Sequence, residues 1–218
     1  GTLNPEFCKQ IYANGIGSIV TQSLYTIYIV GLNMVLKSFT EDAVTVLGIY
    51  YKIQSFFFIP LLGFQQVLLP LFSYHYGAGD RQRNRDILKC SMIFSVAIMA
   101  VATGIFFLFP EKLIQIFSTG SSIVAIGKYA FPVISISFAF AGLTIVTTSY
   151  LQGIAHIKSS LFIIVLRQIV LLVPLAWVFH FIGLNAVWWT FPVTEIIAST
   201  TGILIIMILH KQDSALRI

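Results

Sequence analysis

The chain has 218 residues, of which 57% are hydrophobic and 10% charged, with a formal net charge of +5. A soluble domain carries about 25% charged residues, so a surface this poor in charge points to a bilayer as solvent. The modest positive charge argues against a nucleic-acid partner, because the basic residues stand at the ends of apolar stretches and form no patch.

Six apolar segments follow one another: 11–36, 43–73, 87–109, 122–153, 157–182 and 184–209. Each exceeds the roughly 20 residues that a helix needs to cross the hydrocarbon. The longest imply tilt or kinks. The alternating segments of about ten residues that build a membrane β-barrel are absent. The expected fold class is therefore an all-α membrane protein with six transmembrane helices. Residues 1–10 are polar and lack signal-peptide character.

Projected as a helix, the first span gathers Asn14, Ser18, Thr21, Gln22, Tyr25 and Asn33 on one face. Thr40-Glu41-Asp42 then reads as an N-cap with acids at the positive end of the next helix. The second span aligns Tyr50, Gln54, Phe58 and Gln65, and Pro60 and Pro70 mark kink positions. Its Lys52 either snorkels outward or lines a vestibule. The segment from His75 to Asp86 is a basic island containing Gly77, Gly79, Arg81, Arg83 and Arg85. It reads as a tight turn whose arginines hold topology and touch anionic headgroups.

The fourth span aligns Ser137, Thr144, Thr148 and Gln152 and contains Pro132. The fifth carries Arg167, Gln168 and Pro174. Arg167 is expected in a structural role, snorkelling toward the membrane edge or bonding helix-end carbonyls. The sixth aligns Trp188, Glu195, Ser199 and Gly202, with Pro192 as a further kink position.

Small polar residues on such stripes (Ser18, Ser137, Thr144, Ser199, Gly202) suit close helix packing. Gln22, Tyr25, Gln54 and Gln65 fit either packing or the wall of a cavity, and with Thr148 and Glu195 they are the candidate cavity residues. Glu195 lies roughly 20 Å from the helix end near His210, too deep to snorkel. It is a candidate proton or cation-substrate site, or else the partner of a buried base.

Six crossings put residues 1–10, 74–90, 154–158 and 210–218 on one side. That side carries Lys9, Arg81, Arg83, Arg85, Lys89, Lys158, Lys211 and Arg217, against Lys37 and Lys112 on the other. The bias predicts that both ends of the chain are cytoplasmic. Cys8 and Cys90 then share the reducing side, where a disulfide is not expected. No zinc-protease, nucleophile-elbow, nucleotide-loop or paired-aspartate motif is present, and the four histidines are scattered at span edges, so neither an enzyme nor a metal site is expected.

Several motifs in order resemble a known family. Ile59-Pro60-Leu61-Leu62-Gly63-Phe64-Gln65-Gln66, Pro70-Leu71 and Tyr76-Gly77-Ala78-Gly79-Asp80 with its following arginines resemble the eighth helix and cytoplasmic loop of MATE (multidrug and toxic compound extrusion) transporters of the MOP superfamily. Tyr150 to Lys158 is similar to the end of their tenth helix, Leu166 to Leu175 to the eleventh, and Gly183 to Glu195 to the start of the twelfth, nearest a MepA-like branch.

The resemblance implies one C-terminal six-helix lobe of a twelve-helix transporter, with the N-terminal lobe as its missing partner. It implies H⁺- or Na⁺-coupled efflux of small cationic amphipathic compounds across a bacterial inner membrane, with no cofactor. Lipid-linked flippases of the same superfamily, or a non-transporting scaffold, are the alternatives. A flippase would need several cationic side chains in its cavity, and a scaffold would leave no groove. The NorM-like branch keeps acidic cation ligands in its seventh and tenth helices, but spans 11–36 and 122–153 contain no Asp or Glu. That site does not carry over.

Overall fold

The computed structural model describes residues 23–215. Asn14, Ser18, Thr21 and Gln22, all expected on the first polar face, lie outside the described residues, as does Cys8. The described chain is helical: α1 (Ser23–Lys37), α2 (Glu41–Gly77), α3 (Arg81–Leu108), α4 (Pro110–Gln115), α5 (Ser121–Ser135), α6 (Ser137–Gly153), α7 (Ile157–Val165), a π-helical turn (Leu166–Leu171), α8 (Leu172–His180), α9 (Leu184–Val187) and α10 (Thr190–Ala215). Four helical stretches are long and apolar enough to cross a membrane, and α5 with α6 makes a fifth if the bent pair is one span.

Local chemistry sets the boundaries. The Thr40 hydroxyl accepts the Asp42 N–H at 2.9 Å, and Glu41 and Asp42 occupy the first turn of α2. α2 then runs as one helix through Pro60 and Pro70, so neither proline breaks it. At its end Gly79 adopts φ +73°, and the Asp80 N–H returns to the His75 carbonyl at 3.0 Å. Only Gly79 needs a glycine's conformational freedom there, because Gly77 stays helical. Asp80 caps α3 by accepting the Arg83 N–H at 3.0 Å.

The fourth expected span is broken rather than merely kinked. α5 and α6 meet at Ile136 with a bend of 42°. The bend falls one turn beyond Pro132, where hydroxyls take over backbone carbonyls. Ser137 donates to the Ile134 carbonyl at 2.6 Å, and Thr103 of α3 donates to the Ser135 carbonyl at 3.0 Å. In the fifth span the irregularity is the π turn. Pro174 has no N–H and clashes with the carbonyl four residues back. The turn before it widens, so that the Leu172 N–H bonds the Arg167 carbonyl.

α6 is the central helix, and twelve of its residues are buried. Its small residues let neighbours approach closely. A side chain begun at Gly153 would meet Phe72 Cβ at 2.5 Å and the Leu69 carbonyl oxygen at 3.3 Å, both on α2. Gly202 of α10 lies against Thr147 in the same way, at 2.8 Å from Oγ1. An aromatic knot holds α2, α3, α5, α6 and α10 together. Tyr50 packs against Phe106, Phe131, Phe138 and Phe191 with centroids 5.6–6.4 Å apart.

The hairpin order sorts the charges to two ends. Lys37–Glu41 and Lys128–Glu111 pairs mark one end. Tyr76, Arg81, Arg85, His156 and His210 meet at the other. Lys52 is exposed and turns toward the first end, with its ammonium 5.7 Å from the Phe117 ring centroid.

Gly153→Val should lower the stability of the folded protein by about 1–3 kcal/mol or more through overpacking. Gly63→Val, with nothing within 4 Å of the new Cβ, should not. Thermal unfolding in detergent, read by size-exclusion fluorescence, distinguishes the two.

Candidate functional site

A cavity of about 410 Å³ opens between α1, α2, α6, the π turn and α10. α2 contributes Tyr50, Gln54, Phe58 and Gln65, spaced so that they share its inner face. α1 adds Tyr25 and Tyr28, whose rings stand edge to face at 5.1 Å. α6 adds Ser137 and Thr148. The π turn adds Arg167 and Gln168, and α10 adds Phe191 and Glu195.

Among the described residues Glu195 is the one acidic group in this wall, and it is 5% exposed. Arg167 answers its charge. The guanidinium Nε donates to Glu195 Oε1 at 2.6 Å, and Nη2 closes an ion pair with the same oxygen. The second carboxylate oxygen is held loosely, since among the described residues only the Thr144 hydroxyl reaches it, at 3.4 Å. That hydroxyl also lies 3.0 Å from the Phe140 carbonyl and can donate to one acceptor at a time. Gln168 Oε1 is buried at the cavity edge without a hydrogen-bond partner. The wall thus offers aromatic faces, amides and a single carboxylate neutralised by a single arginine.

The arrangement finds its relatives among transporters. The family profile described as MatE matches residues 18–178. The chain belongs to the MatE family. It is similar to the multidrug export protein MepA of Staphylococcus saprophyticus, 24% identical over 208 residues, which cover 95% of this chain and 46% of that protein. Its fold matches a MOP superfamily transporter from Pyrococcus furiosus with a TM-score of 0.83 at 21% identity, covering 93% of this chain and 46% of the other. An outward-facing multidrug resistance MATE family transporter matches with a TM-score of 0.84 at 21% identity, with the same coverage. The chain spans about half the length of the curated relatives it matches. It has the fold of one lobe of a MatE transporter.

Within this MatE lobe, Tyr25, Gln54, Gln65, Thr148 and Glu195 from the sequence reading all line one cavity. Gln22 lies outside the described residues. Arg167 does not snorkel to the membrane edge as expected, because its guanidinium turns inward to Glu195. Gln152 leaves the expected stripe and bonds Ser160 of α7 at 2.9 Å, and Ser199 and Gly202 are buried in helix packing. Sequence reasoning missed Tyr28 and Gln168. Tyr28 stands one turn beyond Tyr25 on the same face of α1, a signal that helical projection contains.

Breaking one side of a buried ion pair strands the other charge, at a cost of about 3–5 kcal/mol. Arg167→Gln or Glu195→Gln alone should therefore lower the unfolding temperature clearly, and the double change should recover much of the loss. A double-mutant cycle of unfolding in detergent measures the coupling.

Proposed function

We propose that this chain forms the cavity-bearing half of a multidrug efflux antiporter for cationic amphipathic compounds. The observation that carries this reading is the buried Glu195 beside aromatic and amide side chains in one cavity. The flat part of a cationic amphiphile stacks on Tyr25 and Tyr28, whose ring faces favour positive charge. Its charge is met by Glu195, and Arg167 holds that carboxylate in the meantime. The substrate's cation then competes with the guanidinium for the carboxylate, and Oε2 is the oxygen it reaches first because Thr144 holds it weakly.

An inward H⁺ or Na⁺ discharges the substrate by taking the same carboxylate, which is the reading's account of antiport. The other lobe completes the cavity, and the two lobes rock about it in alternating access. The basic end, with Arg81, Arg83, Arg85 and Lys89, faces the cytoplasm, by the positive-inside bias. The membrane is a bacterial plasma (inner) membrane, and the staphylococcal relatives support the bacterial part of that reading. Two observations weigh against the alternatives. Arg167 is the only cationic side chain in the described lining, too few for a lipid-pyrophosphate flippase. The polar stripes leave a groove between them, which a packed scaffold would not.

Efflux of a monovalent cationic phenanthridine dye from cells expressing the full-length protein tests the reading. Glu195→Gln should lower efflux about thirtyfold or more per folded molecule, since removing a desolvated charge contact costs about 2 kcal/mol or more. Unchanged efflux at equal membrane expression would contradict it.

A further inference from the structure

Gln168 stands beside Arg167 on the π turn and lines the same cavity, yet it takes no part in the ion pair. Its Oε1 is enclosed by protein and has no hydrogen-bond partner among the described residues. The residues one turn away on this span, Ile164 and Leu172, are apolar and line the cavity with it, so neither side chain can supply a donor. Other amides of the lobe are held in place: Gln152 donates to Ser160 Oγ at 2.9 Å, and Gln82 to Asp86 at 3.2 Å.

A carbonyl oxygen enclosed without a donor has lost its water and received nothing in return. Such groups are rare in folded proteins, and each calls for a reason. Packing does not supply it, since a methionine of similar length would fill the space with no polar atom to satisfy. The position of the residue does. Gln168 is half-buried on the wall of an open cavity, and its side-chain torsions let the amide turn outward. A ligand that offers an N–H therefore makes a hydrogen bond and relieves the enclosed oxygen in one movement. A ligand without a donor does neither. The other groups of the wall read different properties: the rings of Tyr25, Tyr28 and Phe191 meet a flat cation, and Glu195 meets its charge. The Gln168 carbonyl is neutral, so it reads a donor without regard to net charge.

We propose that Gln168 is a specificity-determining residue of this cavity. Its amide oxygen selects aromatic cations that carry amine N–H groups over cations of the same shape and charge that carry none. The inference rests on the reading of the cavity as a site for cationic amphiphiles and adds which of them it favours. Glu195 answers the charge, the tyrosines answer the ring system, and Gln168 answers the substituent. A site built to bond an N–H discriminates against the analogue lacking it, because its acceptor is then left unpaired.

Equilibrium binding of two dyes to the purified full-length protein in detergent tests the proposal. One is a phenanthridinium with two ring amines, and the other is the same phenanthridinium without them. Once uptake of each dye by the detergent alone is subtracted, the wild-type protein should bind the diamino dye about fivefold more tightly, the effect of one ordinary hydrogen bond. Gln168→Met should bring the two affinities together by weakening the diamino dye alone. The unfolding temperature of this variant without ligand should stay level or rise, because an unsatisfied oxygen has been removed. Glu195→Gln should weaken both dyes by the same factor and leave the preference intact. The two claims therefore fail separately: if Glu195→Gln spares both dyes the charge site falls, while a preference lost in Gln168→Met still upholds the role of Gln168. Equal binding of the two dyes by the wild-type protein would overturn that role without any variant. A preference that survives in Gln168→Met would overturn it too, as would an equal loss of both dyes with a lowered unfolding temperature, the mark of a purely structural amide.

Discussion

A carboxylate placed in the middle of an apolar helix cannot stand alone, because the low dielectric around it makes an isolated charge far too costly. In this lobe the constraint is met by the pairing of Glu195 with Arg167. The pair ties α10 to the fifth span. It also decides what the cavity is, since the wall between Tyr25, Gln54 and Thr148 would otherwise be polar but uncharged. Both arginine bonds fall on Oε1, so among the described residues Oε2 keeps only the distant Thr144 hydroxyl. The pair is thus complete enough to be stable and open enough to be contested by an incoming cation.

The irregularities of the backbone serve this centre. A regular helix through Leu166–Leu171 would have to accommodate Pro174 by a break or a kink. The π turn absorbs it and presents Arg167 and Gln168 side by side on the cavity. The 42° break at Ile136 lets α6 leave the line of α5, and α6 then carries Ser137 and Thr148 past the pocket while Gly142 and Gly153 seat it against α3 and α2. Non-helical backbone at membrane depth is tolerated where protein groups satisfy it. Thr103 does so for the Ser135 carbonyl.

The all-helical membrane fold was readable because apolar length and sparse charge leave few other solvents for the chain. Glu195 could be singled out because a single acid interrupts a long apolar run, and the face shared by Tyr50, Gln54, Phe58 and Gln65 follows from helical spacing alone. That Glu195 partners a base was one of the two readings the sequence left open, but that the base is Arg167 was not readable. It depends on the widened turn and on the relative register of two helices, neither of which a one-helix projection contains. The bend at Ile136 lies one turn past Pro132, the proline that marks this span in the sequence, and one of the hydroxyls that relieve it, Thr103, comes from α3.

The central claim is that Arg167 holds the carboxylate that a cationic ligand takes over. Its most direct test is the distance between Arg167 Nε and Glu195 Cδ, measured by solid-state NMR on the full-length protein in bilayers. Without ligand the account predicts the close pair described here. With a saturating cationic amphiphile it predicts that the dipolar coupling between the two sites weakens, while an uncharged analogue leaves it intact. A coupling unchanged by the bound cation would show that the pair is a fixed strut and would contradict the account.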